Sequence, residues 1–178
     1  MIAKRLEHLR DQLALAQLMV AGDNPDPRSA GIADQLKKMI ERHELLLGIY
    51  DIAIAWNSGS AVGIELGLKR GENISYCAIL EEPDDSGRGR IVYFDESAMY
   101  RHAGYGSPNE ALQQALLDGY NEWSPGTMDR FAVTPAWRKC IAQTELICRF
   151  SAGECDAREF HAAMARLADS DQQNAAST

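Results

Sequence analysis

Apolar residues in the first fifty positions recur at alternating spacings of four and three. Such spacing places the side chains on one seam of a helix, so two series predict two amphipathic helices. The first series is Ile2, Leu6, Leu9, Leu13, Ala16 and Val20, and the second is Ile32, Leu36, Met39, His43 and Leu46. Between them, GDNPDPRS (22–29) breaks the chain with a glycine, two prolines and Ser29 as N-cap. The pattern predicts an antiparallel helical hairpin over residues 1–48.

After Gly48 the apolar period changes to two, which is typical of strands with one buried face. Bulky residues alternate with small or polar ones in IYDIAIAW, AVGIELGLKR, ISYCAILE and RIVYFD. Short turn-forming segments join these four runs, and such connections favour antiparallel pairing of consecutive strands. The sequence therefore predicts a roughly four-stranded antiparallel meander over residues 49–97.

Helical spacing returns in the last third of the chain, over residues 107–169. One predicted helix begins at Ser107, a second opens at Thr134-Pro135, and Asp156 with Glu159 forms a capping pattern for a third. The small polar residues 170–178 predict a disordered tail. Together these elements predict a single α+β domain over residues 1–169.

The formal net charge is −8, and its distribution is uneven. Residues 1–48 carry seven basic and seven acidic side chains, whereas residues 49–98 carry four basic and nine acidic ones. Contact with a phosphate backbone needs clustered Lys and Arg, and no basic stripe is present. We therefore expect no direct nucleic-acid binding.

Several sequence features bear on localisation and cofactors. No apolar stretch approaches the ~20 residues of a membrane span, and the first twelve residues do not form an export signal. The four cysteines show no C-x-x-C spacing, which favours reduced thiols in a cytoplasm over disulfides or a zinc site. We expect a cytoplasmic protein without a membrane partner, a metal or another cofactor.

The segment YRHAGYGSPNE (100–110) is the candidate ligand site. It is predicted as a glycine-containing loop that opens a helix, and free backbone N–H groups at a helix start attract anions. Tyr100, Arg101, His102 and Tyr105 are the candidate ligand-binding residues, with His102 as a candidate catalytic proton carrier. The competing interpretation is structural, because Ser107, Pro108 and Glu110 form a capping box. A turn with a cap, a binding surface and a catalytic loop all remain open.

The predicted function follows from the hairpin seam. No nucleophile, base and orienting group can be assembled from motif spacing, which disfavours an enzyme, whereas an apolar seam suits contact with a partner or a second copy. We expect a small acidic adaptor protein that self-associates as a homodimer. The predicted interface residues are Leu6, Leu9, Leu13, Leu36, Met39 and His43. Two alternatives remain: a small-molecule or anion-binding protein or enzyme using the segment around His102, and an acidic inhibitor that occupies a basic nucleic-acid-binding partner.

One tract invites a comparison with a known family. ISYCAILEEPDDSGRGRIVYF followed by GSPNEALQQAL resembles HicB-type antitoxins, which also place a strand, an acidic glycine-containing turn and a second strand before a Ser/Thr-x-x-Glu-Ala helix. The similarity covers about a quarter of the chain. Here a helical hairpin precedes the sheet and no DNA-binding tail follows, so the resemblance implies no function.

Overall fold

The computed structural model describes residues 1–21, 27–84 and 86–175, with side chains for these ranges except 27 and 169–175. Its elements in chain order are α1 (Ile2–Ala21), α2 (Pro27–Trp56), β1 (Glu65–Arg70), β2 (Asn73–Glu81), β3 (Gly89–Phe94), β4 (Met99–Tyr105), α3 (Pro108–Leu117), β5 (Glu122–Trp123), α4 (Thr127–Ala132), α5 (Pro135–Ser151) and α6 (Ala157–Ala175). The predicted α+β class, with an N-terminal hairpin, an antiparallel sheet and C-terminal helices, is confirmed.

The chain forms two compact units. The first combines Met1–Tyr93 with His102–Pro125, and the second combines Phe94–Arg101 with the chain from Gly126 onward. The predicted single domain over 1–169 stays a prediction. No helix in the described part of the chain is long and apolar enough to cross a bilayer.

Helices α1 and α2 form the hairpin, with a buried apolar seam between them. Its members are Leu6, Leu9, Ala16, Ala33, Leu36 and Ile40, with Leu13 and Leu47 partly buried beside them. An ion pair of 2.7 Å joins Arg10 to Glu44 across the pair and indicates its antiparallel register. Most of the predicted break falls on 22–26, outside the described residues. Helix α2 begins at Pro27, so Ser29 is a buried residue of its first turn and not the predicted N-cap.

The predicted strand over 50–56 is wrong, because helix α2 continues to Trp56. Bulky residues alternate at Tyr50, Ile52, Ile54 and Trp56, but this pattern does not mark the buried face. On the helix, Ala53 is buried and Ile54 is partly buried. Residues 46, 50, 53 and 54 recur at helical spacing. Small Ala53 faces the core, whereas bulky Ile52 and Trp56 are exposed.

The sheet has five strands in the order β4-β3-β2-β1-β5. Strands β1 and β2 pair antiparallel from Glu65 opposite Ala78 to Arg70 opposite Asn73. The short strand β5 pairs with β1 at Leu66 and Gly67. Within the first unit, the apolar face of α3 packs into the same core as the strands. This core includes Ile64, Leu66, Ile79, Ile91, Ala111, Leu112, Ala115 and Leu116.

In the second unit an aromatic cluster and two helices make most of the structure. The rings of Phe94 and Trp137 meet edge to face at 5.5 Å, and the Trp137 indole N–H donates to the Asp95 carbonyl at 2.8 Å. Helices α5 and α6 are joined by residues 152–156 and share a stacked Phe150–Phe160 pair. Helix α6 extends to Ala175, and the predicted disordered tail over 170–178 stays a prediction. Residues 176–178 lie outside the described residues.

Candidate functional site

The four candidate ligand residues lie on strand β4, so the predicted loop conformation is wrong. Successive side chains of a strand point to opposite faces. The alternation therefore separates Tyr100 and His102 from Arg101 and Tyr105. Tyr105 packs against the core of the first unit, whereas the side chain of His102 is exposed. The strand does not gather the four side chains on one face, and ligand binding by any of them stays a prediction.

The second half of YRHAGYGSPNE is a helix start. The Ser107 hydroxyl accepts a hydrogen bond from the Glu110 backbone N–H at 3.2 Å, and Pro108 is the first residue of α3. The Glu110 carboxylate accepts a hydrogen bond from the Gly106 N–H at 3.1 Å. In a standard capping box it would accept from the N–H of the N-cap residue itself, here Ser107. The predicted cap at Ser107 is confirmed.

Gly89, at the start of β3, was not singled out from the sequence. A Cβ atom placed on Gly89 would lie 2.4 Å from the Pro108 nitrogen and 2.6 Å from the Ser107 carbonyl carbon. The start of α3 therefore lies directly on the β3 backbone. Only a residue without a side chain fits there, because both sides of the contact are main chain.

Tyr105 belongs to a hydrogen-bonded group around Tyr93 in the interior of the first unit. The Tyr93 hydroxyl donates to Asp118 Oδ2 at 3.3 Å, and the Gln114 amide donates to Asp118 Oδ1 at 2.7 Å. Burial, with smaller contributions from Tyr105 and Asp118, raises the pKa of the Tyr93 phenol. A phenol held neutral in this way is a hydrogen-bond donor that ties β3 to the end of α3, and it is poorly suited to release a proton.

Neither the cysteine thiols nor the other potential metal ligands form a recognisable reactive site among the described residues. Burial raises the pKa of the Cys77 thiol, so its reactive thiolate form is suppressed. The four cysteines are unpaired. Across residues 1–21, 27–84 and 86–175, no three His, Cys, Asp or Glu side chains are placed to share a metal ion.

Most of the predicted interface residues lie inside the hairpin. Leu6, Leu9 and Leu36 pack between α1 and α2, with Leu13 partly buried, and His43 is 7% exposed. These contacts are made within one chain. A charged replacement at Leu9 or Leu36 would therefore disrupt the hairpin itself. Met39 alone of the six is largely exposed.

His43 lies at the edge of this seam with half of its hydrogen-bonding capacity used. Its Nδ1 is 2.7 Å from the Met39 carbonyl oxygen, one helical turn earlier. Its Nε2 is buried and has no hydrogen-bond partner among the described residues. An unsatisfied buried nitrogen is destabilising by about 1–3 kcal/mol.

An exposed apolar surface adjoins the seam, and we call it the hairpin face: Leu15, Met19, Ile32 and Met39. Their exposed fractions run from 47% at Met39 to 61% at Leu15. Successive residues of a helix are rotated by about 100°. On this basis Leu15 and Met19 lie roughly 100–140° from the centre of the α1 seam. Ile32 and Met39 lie roughly 70–90° from the centre of the α2 seam, in the same sense of rotation. Because the helices are antiparallel, these rotations bring all four side chains to the same side of the hairpin.

Comparison with protein-family models, with curated proteins and with solved structures found no match. The resemblance to HicB-type antitoxins stays a resemblance.

Proposed function

We propose that this chain is a small interaction protein that self-associates through the hairpin face. The observation that carries the proposal is the exposure of Leu15, Met19, Ile32 and Met39 on one side of the hairpin. Clustered exposed apolar side chains mark interaction sites, whereas scattered ones are ordinary on a protein surface.

The charge pattern supports a second copy as the partner. The chain carries −8, so two copies repel each other over most of their surface. Residues 1–48 have balanced charge, and helical rotation places the uncharged Gln12 and Gln35 on the hairpin face, with Arg28 at its edge one turn before Ile32. We therefore expect two copies to repel each other less on this side than over the acidic remainder of the chain. Interfaces are commonly enriched in Met and depleted in charge at their centre.

The area supports a modest dimer. Four large side chains, each about half exposed, offer on the order of 400 Å² of surface, within the range of functional patches on monomers. A standard interface buries ~800 Å² per partner, so polar neighbours of the hairpin face would complete the contact. This size is below that of obligate dimers, so we expect reversible association.

The exposed residues on α1 supply a matched pair of variants. Met19 lies on the hairpin face, whereas Leu18 is 71% exposed and points about 100° away from Met19, on the side of α1 remote from α2. Met19→Glu places a charge in the interface and should weaken association at least tenfold in sedimentation equilibrium. Leu18→Glu adds the same charge at the same end of the same helix and should leave association unchanged.

Ile32→Glu tests the α2 side of the hairpin face and should reproduce the effect of Met19→Glu. Equal effects of Met19→Glu and Leu18→Glu would show that net charge, and not this surface, governs association. Circular dichroism should be unchanged in all three variants, since each replaced side chain is largely exposed.

A cytoplasmic location accompanies this proposal, supported by the four unpaired cysteines, which are typical of a reducing compartment. The two alternative functions, a ligand-binding protein or enzyme around His102 and an acidic inhibitor of a basic partner, stay predictions.

A further inference from the structure

A cleft of about 590 Å³ lies between α5 and α6. This volume falls within the ~300–1,000 Å³ range of small-molecule sites. Its lining includes the apolar residues Leu146 of α5 and Ala162 and Ala163 of α6, which we call the apolar floor, and three arginines, Arg149, Arg158 and Arg166. None of these residues was singled out from the sequence, because the cleft exists only once the two helices pack.

The carboxylates that line the same cleft already have partners. Asp156 Oδ1 accepts from the Glu159 backbone N–H at 2.8 Å, and Glu159 Oε2 accepts from the Asp156 N–H at 3.1 Å. Glu154 lies 4.0 Å from Arg149 Nε, which is an ion pair too long for a hydrogen bond. Asp156 and Glu159 are thus used to cap α6.

Two of the arginines have no such partner. Arg158 and Arg166 make no hydrogen bond or ion pair within the described part of the chain. Positions 158, 162 and 166 are spaced by four and share one side of α6, so the small side chain of Ala162 leaves room between the guanidinium groups. A planar guanidinium offers paired N–H donors that match a carboxylate or phosphate.

We propose that this cleft binds an organic anion, a molecule that carries a phosphate or carboxylate group on an apolar body. Arg158 and Arg166 bind the anionic group, and the floor of Leu146 and Ala162 contacts the apolar part. The cleft is larger than a single phosphate needs, which favours an organic ligand over an inorganic ion. The carboxylates in the cleft offset the positive charge of the arginines at long range, so recognition of the anion depends on direct hydrogen bonds. This site lies in the second unit and does not depend on the proposed self-association.

Phenyl phosphate is the probe, titrated into the ¹⁵N-labelled full-length protein while the arginine Nε–H resonances are followed. The R158Q and R166Q single variants identify the two relevant resonances. We expect saturable shifts of both, and at least a tenfold weaker affinity in the R158Q/R166Q double variant. R138Q is the matched control, since Arg138 is an exposed arginine of α5 that does not line the cleft. Shifts that stay linear to high millimolar probe, or equal loss of affinity in R138Q, would overturn the proposal.

Two further ligands separate the contribution of the anionic group from that of the apolar part. Inorganic phosphate should bind at least tenfold more weakly than phenyl phosphate, because it lacks the apolar part; equal affinity would overturn the role of the apolar floor. Phenol should not shift the two arginine resonances; saturable shifts with phenol would overturn the role of the anionic group.

Discussion

Replacing Gly89 with alanine tests the contact between β3 and the start of α3. The added Cβ would lie 2.4 Å from the Pro108 nitrogen and 2.5 Å from its Cα, whereas ordinary contacts begin near 3.4 Å. Because both partners are main chain, the start of α3 has to move by about 1 Å or the strand has to bend. Overpacking of this kind typically costs about 1–3 kcal/mol, and we expect a loss near the upper end of that range.

Gly48→Ala is the matched control, and we expect it to change stability in the opposite direction. Gly48 lies within α2, and a Cβ there would meet no atom within 4 Å. Alanine in a helix interior is favoured over glycine by about 0.5–1 kcal/mol, so this variant should be more stable than the wild type.

Urea denaturation followed by circular dichroism measures both variants. The midpoint should fall for Gly89→Ala and rise for Gly48→Ala, with the slope m unchanged. A Gly89→Ala protein as stable as the wild type would refute the proposed close packing of α3 on β3. A destabilised Gly48→Ala protein would refute the continuous helix through residue 48.

The remaining predictions use the same denaturation assay. Ser107→Ala removes the α3 cap and should cost about 1 kcal/mol; no loss would refute the cap. Leu36→Ala opens a cavity in the hairpin seam and should cost about 2–5 kcal/mol, in contrast to the surface variant Leu18→Glu. His43→Leu removes a buried unsatisfied nitrogen together with the hydrogen bond between Nδ1 and the Met39 carbonyl, so the two effects offset and stability should change by less than about 1 kcal/mol. A loss well above the ~1.5 kcal/mol of one hydrogen bond would contradict the unsatisfied state of Nε2. The raised pKa of Tyr93 gives stability that is present below pH ~10, the ordinary tyrosine value, and is lost as pH rises above it. Tyr93→Phe should therefore reduce the loss of stability between pH ~9 and ~11.

The hairpin and most of the sheet were predictable because their apolar periods are strong and their turns are short. The alternation in IYDIAIAW was misleading, since bulky residues at every second position also fit a helix when small Ala53 faces the core. Strand β4 escaped prediction for the opposite reason. It lies at the end of the strand order, so only one side of it is paired within the sheet, and MYRHAGY shows no clear apolar alternation.

The candidate surfaces depend on packing that a linear pattern does not contain. The α1 seam was predicted well, since Leu6, Leu9 and Ala16 are buried. In α2 the buried seam runs through Ala33, Leu36 and Ile40, whereas the predicted Ile32 and Met39 are exposed. The sequence also did not tell whether α1 and α2 bury their apolar residues together or present them to another chain. The hairpin face could not be predicted from the sequence. Met19 and Ile32 lie on the same surface only because α1 and α2 pack antiparallel. The arginine cleft likewise requires α5 and α6 to be side by side.

Light scattering of the wild-type protein across concentrations tests the central proposal most directly. The chain mass is 19.6 kDa. We predict that the weight-average mass rises toward twice that value as the concentration increases from about 1 to about 100 μM, a range that covers dissociation constants in the micromolar range. A mass that stays at 19.6 kDa across this range would contradict self-association through the hairpin face.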